Sequence, residues 1–588
     1  MFKIKIYTHF QISKLSTIIY IILSLGNLHN TDAQARNDYN WILGFPPNIS
    51  DKYFGGVKID FNHNLPLVQY FNTNCDAFYP AVLNSATGRL LFYSNGCSIF
   101  NSNHEIMQGG DTIAYGGIWD SYCPYVGYPG TQNHLLLPWP GDTTKAILLY
   151  LKSNDNITTY ILLYAIIQID NENPLGVVSQ KDQFLVEPGT TALLTATKHA
   201  NGRDWWIILP ENRTNRFFTF LLSPTGVKLV STQSIGEAWG EREGSSQAIF
   251  TPDGTKYIRF NPWKGLDIFN FDRCTGMLSN PNESGPLSFP IREASGIAAS
   301  LDSRYLYASN VTMLYQYDLA ATNIFATQYL IDEYDGYLDP FAVDFYQMAL
   351  APDGKIYVFS TNGNKSIGVI HNPKSKGALC NFTQHNFELP AYIEFGSINL
   401  PYYRLGPKDG SSCDTLGLNN IPIAYFTYQT DTLDPLNVAV TDLSYFNPVE
   451  YAWSFGDNTG STLKDPAEHL YSNTGIYNVC LTVKNEYGEN TFCRLIALDT
   501  TVSTDENPFA RSILVSPNPF KDEIAVENQS DLRGLKLTLI SNLGSIVFES
   551  EVFDNHYNTD LSAYFAGIYF YMITQDGTLI KSGKLVKF

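Results

Sequence analysis

The sequence predicts an all-β protein: a seven-bladed β-propeller, with six blades as the fallback, then an immunoglobulin-like β-sandwich and a small C-terminal β-sandwich. Three observations predict it. A turn cluster followed by paired strands recurs six times between residues 85 and 359. Period-two apolar alternation returns in two later stretches, around Trp453 and from Lys536 to Met572. Aromatic residues are abundant, with 38 Tyr and 36 Phe among 588 residues, which suits pleated, half-buried strands.

Residues 1–35 read as a secretory signal peptide. Lys3, Lys5 and Lys14 precede an apolar run from Ile18 to Leu25, and Ala33-Gln34-Ala35 supplies a small-x-small site with cleavage after Ala35. That run falls far short of the ~20 residues of a membrane span, so no transmembrane segment is expected. No cysteine precedes Cys75, which leaves no site for an N-terminal lipid. Removing these residues moves the formal charge from −19 to −21. So acidic a surface lacks the basic footprint that nucleic acid needs.

Internal repetition defines residues 38–405 as the propeller. Ser85-Ala-Thr-Gly88, Gly141-Asp-Thr-Thr144 and Asn201-Gly-Arg-Asp204 each precede an apolar strand, as do Thr251-Pro-Asp-Gly254, Ser300-Leu-Asp-Ser303 and Ala351-Pro-Asp-Gly354. Pro presets the turn backbone and Gly accepts a positive φ, so x-Pro-Asp-Gly makes a tight link between antiparallel strands. The strands after these turns start at 89, 145, 205, 256, 305 and 355, so 56, 60, 51, 49 and 50 residues apart, enough for four short strands each. Third strands follow at 266–272, 314–318 and 367–370. Residues 396–403 are expected as the innermost strand of one more blade, completed by 41–45, 56–61 and 67–71, so that both ends of the domain close the ring. Closure removes free sheet edges.

A linker over 406–420 leads to the second module at 421–498. There Tyr451, Trp453 and Phe455 alternate onto one strand face before the turn Gly456-Asp457-Asn458, and Val479, Leu481 and Val483 alternate on another. Central Trp and Tyr with period-two apolar positions describe an immunoglobulin-like sandwich, and Asp457 reads as a turn residue. A second linker spans 499–511, and the last module spans 512–588.

Three resemblances add to this reading. The run Trp453-Ser-Phe455-Gly456-Asp457 resembles the hallmark of PKD domains. The C-terminal pattern of Pro517-Asn518-Pro519, Asn542-Leu-Gly544, Ala566-Gly567-Ile-Tyr569 and a tail with Lys581, Lys584 and Lys587 resembles the sorting domain of type IX secretion cargo. Residues 38–405 are similar to the propeller region of large exported proteins with such tails, on Leu90 to Gly96, Phe271-Asp-Arg-Cys-Thr-Gly276 and Ala351 to Tyr357. The sorting resemblance implies recognition by the type IX machinery at the outer membrane, removal of the tail, and a product released or attached to surface polysaccharide.

Eight cysteines remain in the mature chain. Cys480 and Cys493 flank Glu486-Tyr487, and a hairpin with that two-residue loop sets them opposite each other as a disulfide contributing about 3 kcal/mol. Cys75 with Cys97 is a pairing suggested by proximity within one blade. No His-Glu-x-x-His, Gly-x-Ser-x-Gly, phosphate-cradling loop or Cys-x-x-Cys pair occurs, so neither a cofactor nor a metal is expected. The best candidate ligand loop is Glu237, Trp239, Glu241 and Arg242, where the indole could stack on a sugar. Asp111, Trp119, Asp120 and Tyr122 form a weaker one.

Two functions follow. The first is a secreted or surface-attached binding or adhesion protein without enzymatic activity, whose propeller holds protein or glycan, with the PKD module as a spacer. The alternative is a glycan-active lyase or hydrolase with its site at the propeller mouth. A glycosidase needs two carboxylates about 5–10 Å apart, and the chain lacks the Ser-x-Asp-x-Gly-x-x-Trp box of sialidase-like propellers.

Overall fold

The protein is described by a computed structural model covering residues 36–587, except 47–52, 74, 78, 171–172, 240–245, 288–293, 395–396, 432–433, 499–512, 529–532, 542–545, 553–555, 565–566 and 576–577. The expected signal site at Ala35 lies outside these residues. Contacts divide the chain into two compact units. One comprises residues 1–429, 439–467 and 478–495, the other 430–438, 468–477 and 496–588.

Seven antiparallel sheets precede residue 394, over residues 40–71, 81–101, 134–190, 195–234, 247–283, 296–333 and 348–393. Each runs up and down in chain order, the first two with three strands and the rest with four. The first strands of the fourth to seventh sheets contact one another in succession, and the first strand of the second sheet contacts that of the third. Between the third and fourth, Gln132 bridges Leu193 in parallel. The first sheet touches both the last strand of the seventh and the first strand of the second, so the ring closes. The turn clusters supply its corners: Gly88, Gly141, Gly202, Gly254 and Gly354 all hold positive φ, and Ser303 does so without being glycine, at 58°.

Residues 397–403 correct the expectation of an innermost strand. They run through the ring without a ladder: Pro401 has no N–H to give, the Asn399 N–H makes a single backbone bond to the Pro80 carbonyl at 3.2 Å, and the others involve side chains. The Ser397 N–H donates to the Gln347 Oε1 at 3.0 Å, and the Asn399 amide donates to the carbonyls of His134 and Leu194, both at 3.0 Å. The same device recurs around the channel. Gln132 Nε2 donates to the Ala248 carbonyl and its Oε1 accepts the Ala248 N–H, at 2.9 and 2.7 Å. Gln247 Oε1 accepts the N–H of Ile297, and its Nε2 donates to the Met348 carbonyl, both at 2.9 Å. Buried amides thus complete the edges of the innermost strands. Gln247→Ala is expected to cost about 1–3 kcal/mol, since it strands backbone groups of two sheets away from water; urea unfolding of the variant checks this.

The segment ends on Arg404, whose Nη1 lies 2.5 Å from Asp38 Oδ1, both side chains at most 4 % exposed. This ion pair ties the two ends of the ring. The linker that follows is fastened to the propeller. Arg273, from the Phe271-Asp-Arg-Cys-Thr-Gly276 hairpin, donates to the carbonyls of Lys198, His199 and Gly406, while Cys274 is bonded to Cys413. The Lys408 N–H donates to the Ala200 carbonyl at 2.8 Å.

The PKD module has two sheets. Phe426–Thr430, Asn437–Asp442 and His469–Leu470 form one; Gly460–Ser461, Glu450–Ser454, Gly475–Asn485 and Gly488–Leu498 form the other. Trp453 is buried, packs edge-on against Phe426 at 5.0 Å and donates to the Leu463 carbonyl. The Asp457 carboxylate accepts the Thr459 N–H at 3.0 Å, closing its turn. Glu486-Tyr487 is a two-residue loop, and Cys480 and Cys493 are bonded with Cα atoms 4.1 Å apart. Within the first unit, Asn64 exchanges two hydrogen bonds of 2.9 Å with the Tyr428 backbone, and Leu443 and Tyr445 enter the apolar cluster of Tyr39, Trp41 and Phe61. This part of the module is packed on the propeller.

In the second unit, the C-terminal domain has a three-stranded sheet of Ile513–Ser516, Glu523–Asn528 and His556–Asp560. Facing strands Ile546–Val552, Leu535–Ser541, Gly567–Gln575 and Thr578–Lys587 form a four-stranded sheet, around a core including Ile513, Phe520, Val526, Leu537, Ile573 and Leu585. Its motif residues hold the last strand in place. Between Pro517 and Pro519, the Asn518 side chain donates to the Lys584 carbonyl at 2.7 Å and accepts the Val586 N–H at 3.0 Å. Lys587 is buried and donates to the Leu561 carbonyl at 3.0 Å. The Lys584 side chain is exposed, Gly567 opens its strand, and Gly544 lies outside the described residues.

Candidate functional site

The loop singled out by sequence is not a ligand surface where it is described. Trp239 is 2 % exposed. Its Nε1 donates to Asp267 Oδ2 at 2.5 Å, its ring lies 3.9 Å from the Arg259 guanidinium, and Arg259 pairs with Asp267 at 2.7 Å. The indole is therefore one face of a buried Arg–Asp–Trp cluster and cannot stack on a sugar. Glu237 is exposed, but its main chain is engaged: its N–H donates to Glu283 and its carbonyl accepts from Arg259. Glu241 and Arg242 lie outside the described residues.

The central channel is narrow where it is described. Gln132, Gln247 and Asn399 cross it, with Ala248, Met348 and Ile398 among its walls, and about 70 Å³ remains. That space admits a few waters at most. Its one charged lining residue, Asp38, is committed to Arg404. Toward the starts of the innermost strands, Tyr79 and Tyr346 meet hydroxyl to hydroxyl at 3.2 Å, and Tyr79 holds a φ of 47°. Burial keeps both phenols protonated by pushing their pKa values upward, and it raises the Asp76 carboxyl to about 7. No group of three or more His, Cys, Asp or Glu side chains suited to a metal occurs among the described residues.

Open space lies instead at the turn-bearing end of the first unit, in a cleft of about 720 Å³. That size suits a short oligomeric ligand. Its floor is built by two turns, Pro252-Asp-Gly254 and Leu301-Asp-Ser303: Asp253 and Asp302 come from the corners of the fifth and sixth sheets, joined by an Asp253 N–H to Ser303 Oγ hydrogen bond of 3.0 Å. One wall is the linker with Lys408 and Asp409, immobilised by Arg273 and the Cys274–Cys413 bond. The other carries Tyr445, Tyr451 and Lys464. The Lys464 Nζ stands 3.9 Å from Asp442 and 5.9 Å from the Tyr451 ring, with its side chain 56 % exposed. Burial, then Asp442 and Asp465, pushes the Tyr451 phenol up to about 12, so it remains a hydroxyl at neutral pH. Both Asp253 and Asp302 accept the hydroxyls of their own turns, from Thr251 and Ser300 at 2.6 Å. The cleft therefore offers aromatic faces, ammonium groups and fixed hydroxyl partners, the chemistry of holding a polar chain.

The residues of this cleft were not singled out from sequence, although one signal pointed to them. Equivalent turns in a closed ring must all lie at one end, so the aspartates of successive x-Asp-x motifs share a face. The contributions of 402–409 and 445–464 come from a different module and carry no such period. The guessed Cys75–Cys97 pairing is also corrected: Cys97 is bonded to Cys123, and Cys75 is a buried thiol in the core of the first sheet.

Comparison with known proteins places two of the modules. Residues 419–497 match the PKD domain family and residues 514–587 match the secretion system C-terminal sorting domain. The latter marks the chain for type IX export to the cell surface or extracellular space. No helix among the described residues is long and apolar enough to cross a membrane. No curated protein matches the chain. Among solved structures, the PKD1 domain of the Vibrio cholerae metalloprotease PrtV is similar at 32 % identity over 13 % of this chain and 98 % of that one, with a TM-score of 0.13. A putative 6-phosphogluconolactonase from Bacteroides fragilis matches at 14 % identity over 63 % of this chain and 99 % of its own, with a TM-score of 0.39. One from Bacteroides uniformis matches at 15 % identity over 57 % and 92 %, with a TM-score of 0.35.

Proposed function

We propose that this type IX cargo is a surface or extracellular binding protein without enzymatic activity, and that it holds an extracellular glycan in the cleft between the Asp253 and Asp302 corners and residues 445–464. The observation that carries this reading is the contrast between the two openings of the first unit. In its described part the channel is crossed by amides, leaves about 70 Å³, and has as its one charged lining residue Asp38, which is paired with Arg404. The cleft is open, aromatic and bounded by a disulfide-fixed wall, and a wall fixed before binding lowers the ordering cost of capture.

Exposed Lys464 can be removed without disturbing the core. Lys464→Ala and Tyr451→Ala are each expected to weaken binding of at least one ligand from a glycan panel at least ten-fold, or about 1.4 kcal/mol, measured by titration calorimetry. Unchanged affinity in both variants would remove the cleft from the account.

A further inference from the structure

The second sheet of the propeller has three strands, and where a fourth would stand the chain makes a long loop from residue 102 to 133. This loop is rigidly built. The Cys97–Cys123 disulfide closes it. The Ile113 N–H donates to the Cys97 carbonyl at 2.9 Å, the Ala114 N–H to Asp182 Oδ1 at 3.0 Å and the Trp119 Nε1 to the Cys97 carbonyl at 3.4 Å. Ile113 and Ile118 are buried in the underlying core. Thr112 and Ala114 hold φ values of 52° and 56°, a left-handed backbone that costs free energy for residues with a Cβ and persists where the surroundings enforce it.

What this frame presents is aromatic. Tyr115 is 55 % and Tyr125 72 % exposed, and Trp119 is half-buried with its ring 5.6 Å from that of Tyr115. Between the rings in sequence lie Gly116, Gly117 and buried Ile118, then Asp120, Ser121, Tyr122, Cys123 and Pro124; the Asp155 carboxylate lies beside Gly117 and the Lys152 ammonium beside Gly116. A protein-binding hot spot is ringed by contacts that exclude water; here glycines and charged groups of both signs stand beside the exposed rings. A pyranose matches that mixture, since its C–H face packs on an aromatic ring while its hydroxyls donate to carboxylates. Asp120 and Asp155 are countered by the Lys152 ammonium beside Gly116, and a surround of mixed sign favours a neutral sugar over a uronate or a sulfate. None of these residues lines the cleft.

We infer that the loop 111–125 is a second binding platform, for neutral oligosaccharides, with Tyr115 and Tyr125 as its stacking residues. The full chain is titrated with neutral hexasaccharides of glucan, xylan and mannan, and with trigalacturonate as a charged counterpart. At least one neutral hexasaccharide should bind, and Tyr115→Ala combined with Tyr125→Ala should weaken it ten-fold or more while leaving the unfolding midpoint in place. Lys464→Ala should leave that affinity unchanged, so the platform and the cleft fail separately. Binding of none of the neutral sugars, equal binding by the double variant, a preference for trigalacturonate, or a loss that follows Lys464→Ala would each overturn the platform.

Discussion

Replacing Arg404 with leucine is expected to cost the propeller about 3–5 kcal/mol, because it leaves the buried Asp38 carboxyl without its partner. Arg404 follows the segment that threads the channel and Asp38 precedes the first strand, so the pair joins the two ends of the ring across 366 residues. The guanidinium is also enclosed by aromatic rings, with the centroids of Tyr402, Tyr445 and Tyr39 at 4.9, 5.3 and 5.9 Å. Asp38→Leu should cost a similar amount for the reciprocal reason. Replacing both together should recover a large part of the loss, since no charge then remains buried alone. Denaturant unfolding followed by tryptophan fluorescence measures all three, and a loss below about 1 kcal/mol in either single variant would show that ring closure does not depend on this pair.

The second large effect concerns the cluster of Arg259, Asp267 and Trp239. Asp267→Ala strands the Arg259 guanidinium, 1 % exposed, among the rings of Trp239, Phe217 and Phe269, and a loss of about 3–5 kcal/mol is expected. Trp239→Ala empties one wall of the same site and should cost about as much, through the cavity it leaves. These variants distinguish a core indole from a sugar-stacking one. A core role predicts a lowered melting temperature with glycan affinity intact in the fraction that remains folded. A surface role would give wild-type stability with lost affinity, and that result would reinstate the reading that the bare sequence invites.

The contrast at Trp239 shows where the sequence is legible. Turn chemistry is local: Pro252 and Gly254 declare a corner within four residues, and six such corners declare a repeat. The Cys480 and Cys493 positions are readable for the same reason, because a two-residue loop fixes which residues of a hairpin face each other. Trp239 is misread because its immediate neighbours are acidic while its partners, Arg259 and Asp267, lie on other strands of the next sheet. Residues 397–403 alternate as a strand would, yet their partners are scattered along the chain: the Gln347 side chain for the Ser397 N–H, the Pro80 carbonyl for the Asn399 N–H, and the His134 and Leu194 carbonyls for the Asn399 amide. Cys97 is near Cys75 in sequence, but Cys75 faces the core of the first sheet and Cys97 faces the loop that contains Cys123. The cleft was the least legible feature, being assembled from the repeat, the linker and the following module at once.

Catalysis by the propeller is the reading that most directly opposes this account. Incubating the purified chain with a panel of polysaccharides, and following both retention and reducing-end or unsaturated-sugar release over many equivalents, separates the two. The account predicts saturable retention of at least one polysaccharide with no products formed. Sustained release of reducing ends or unsaturated sugars would contradict it.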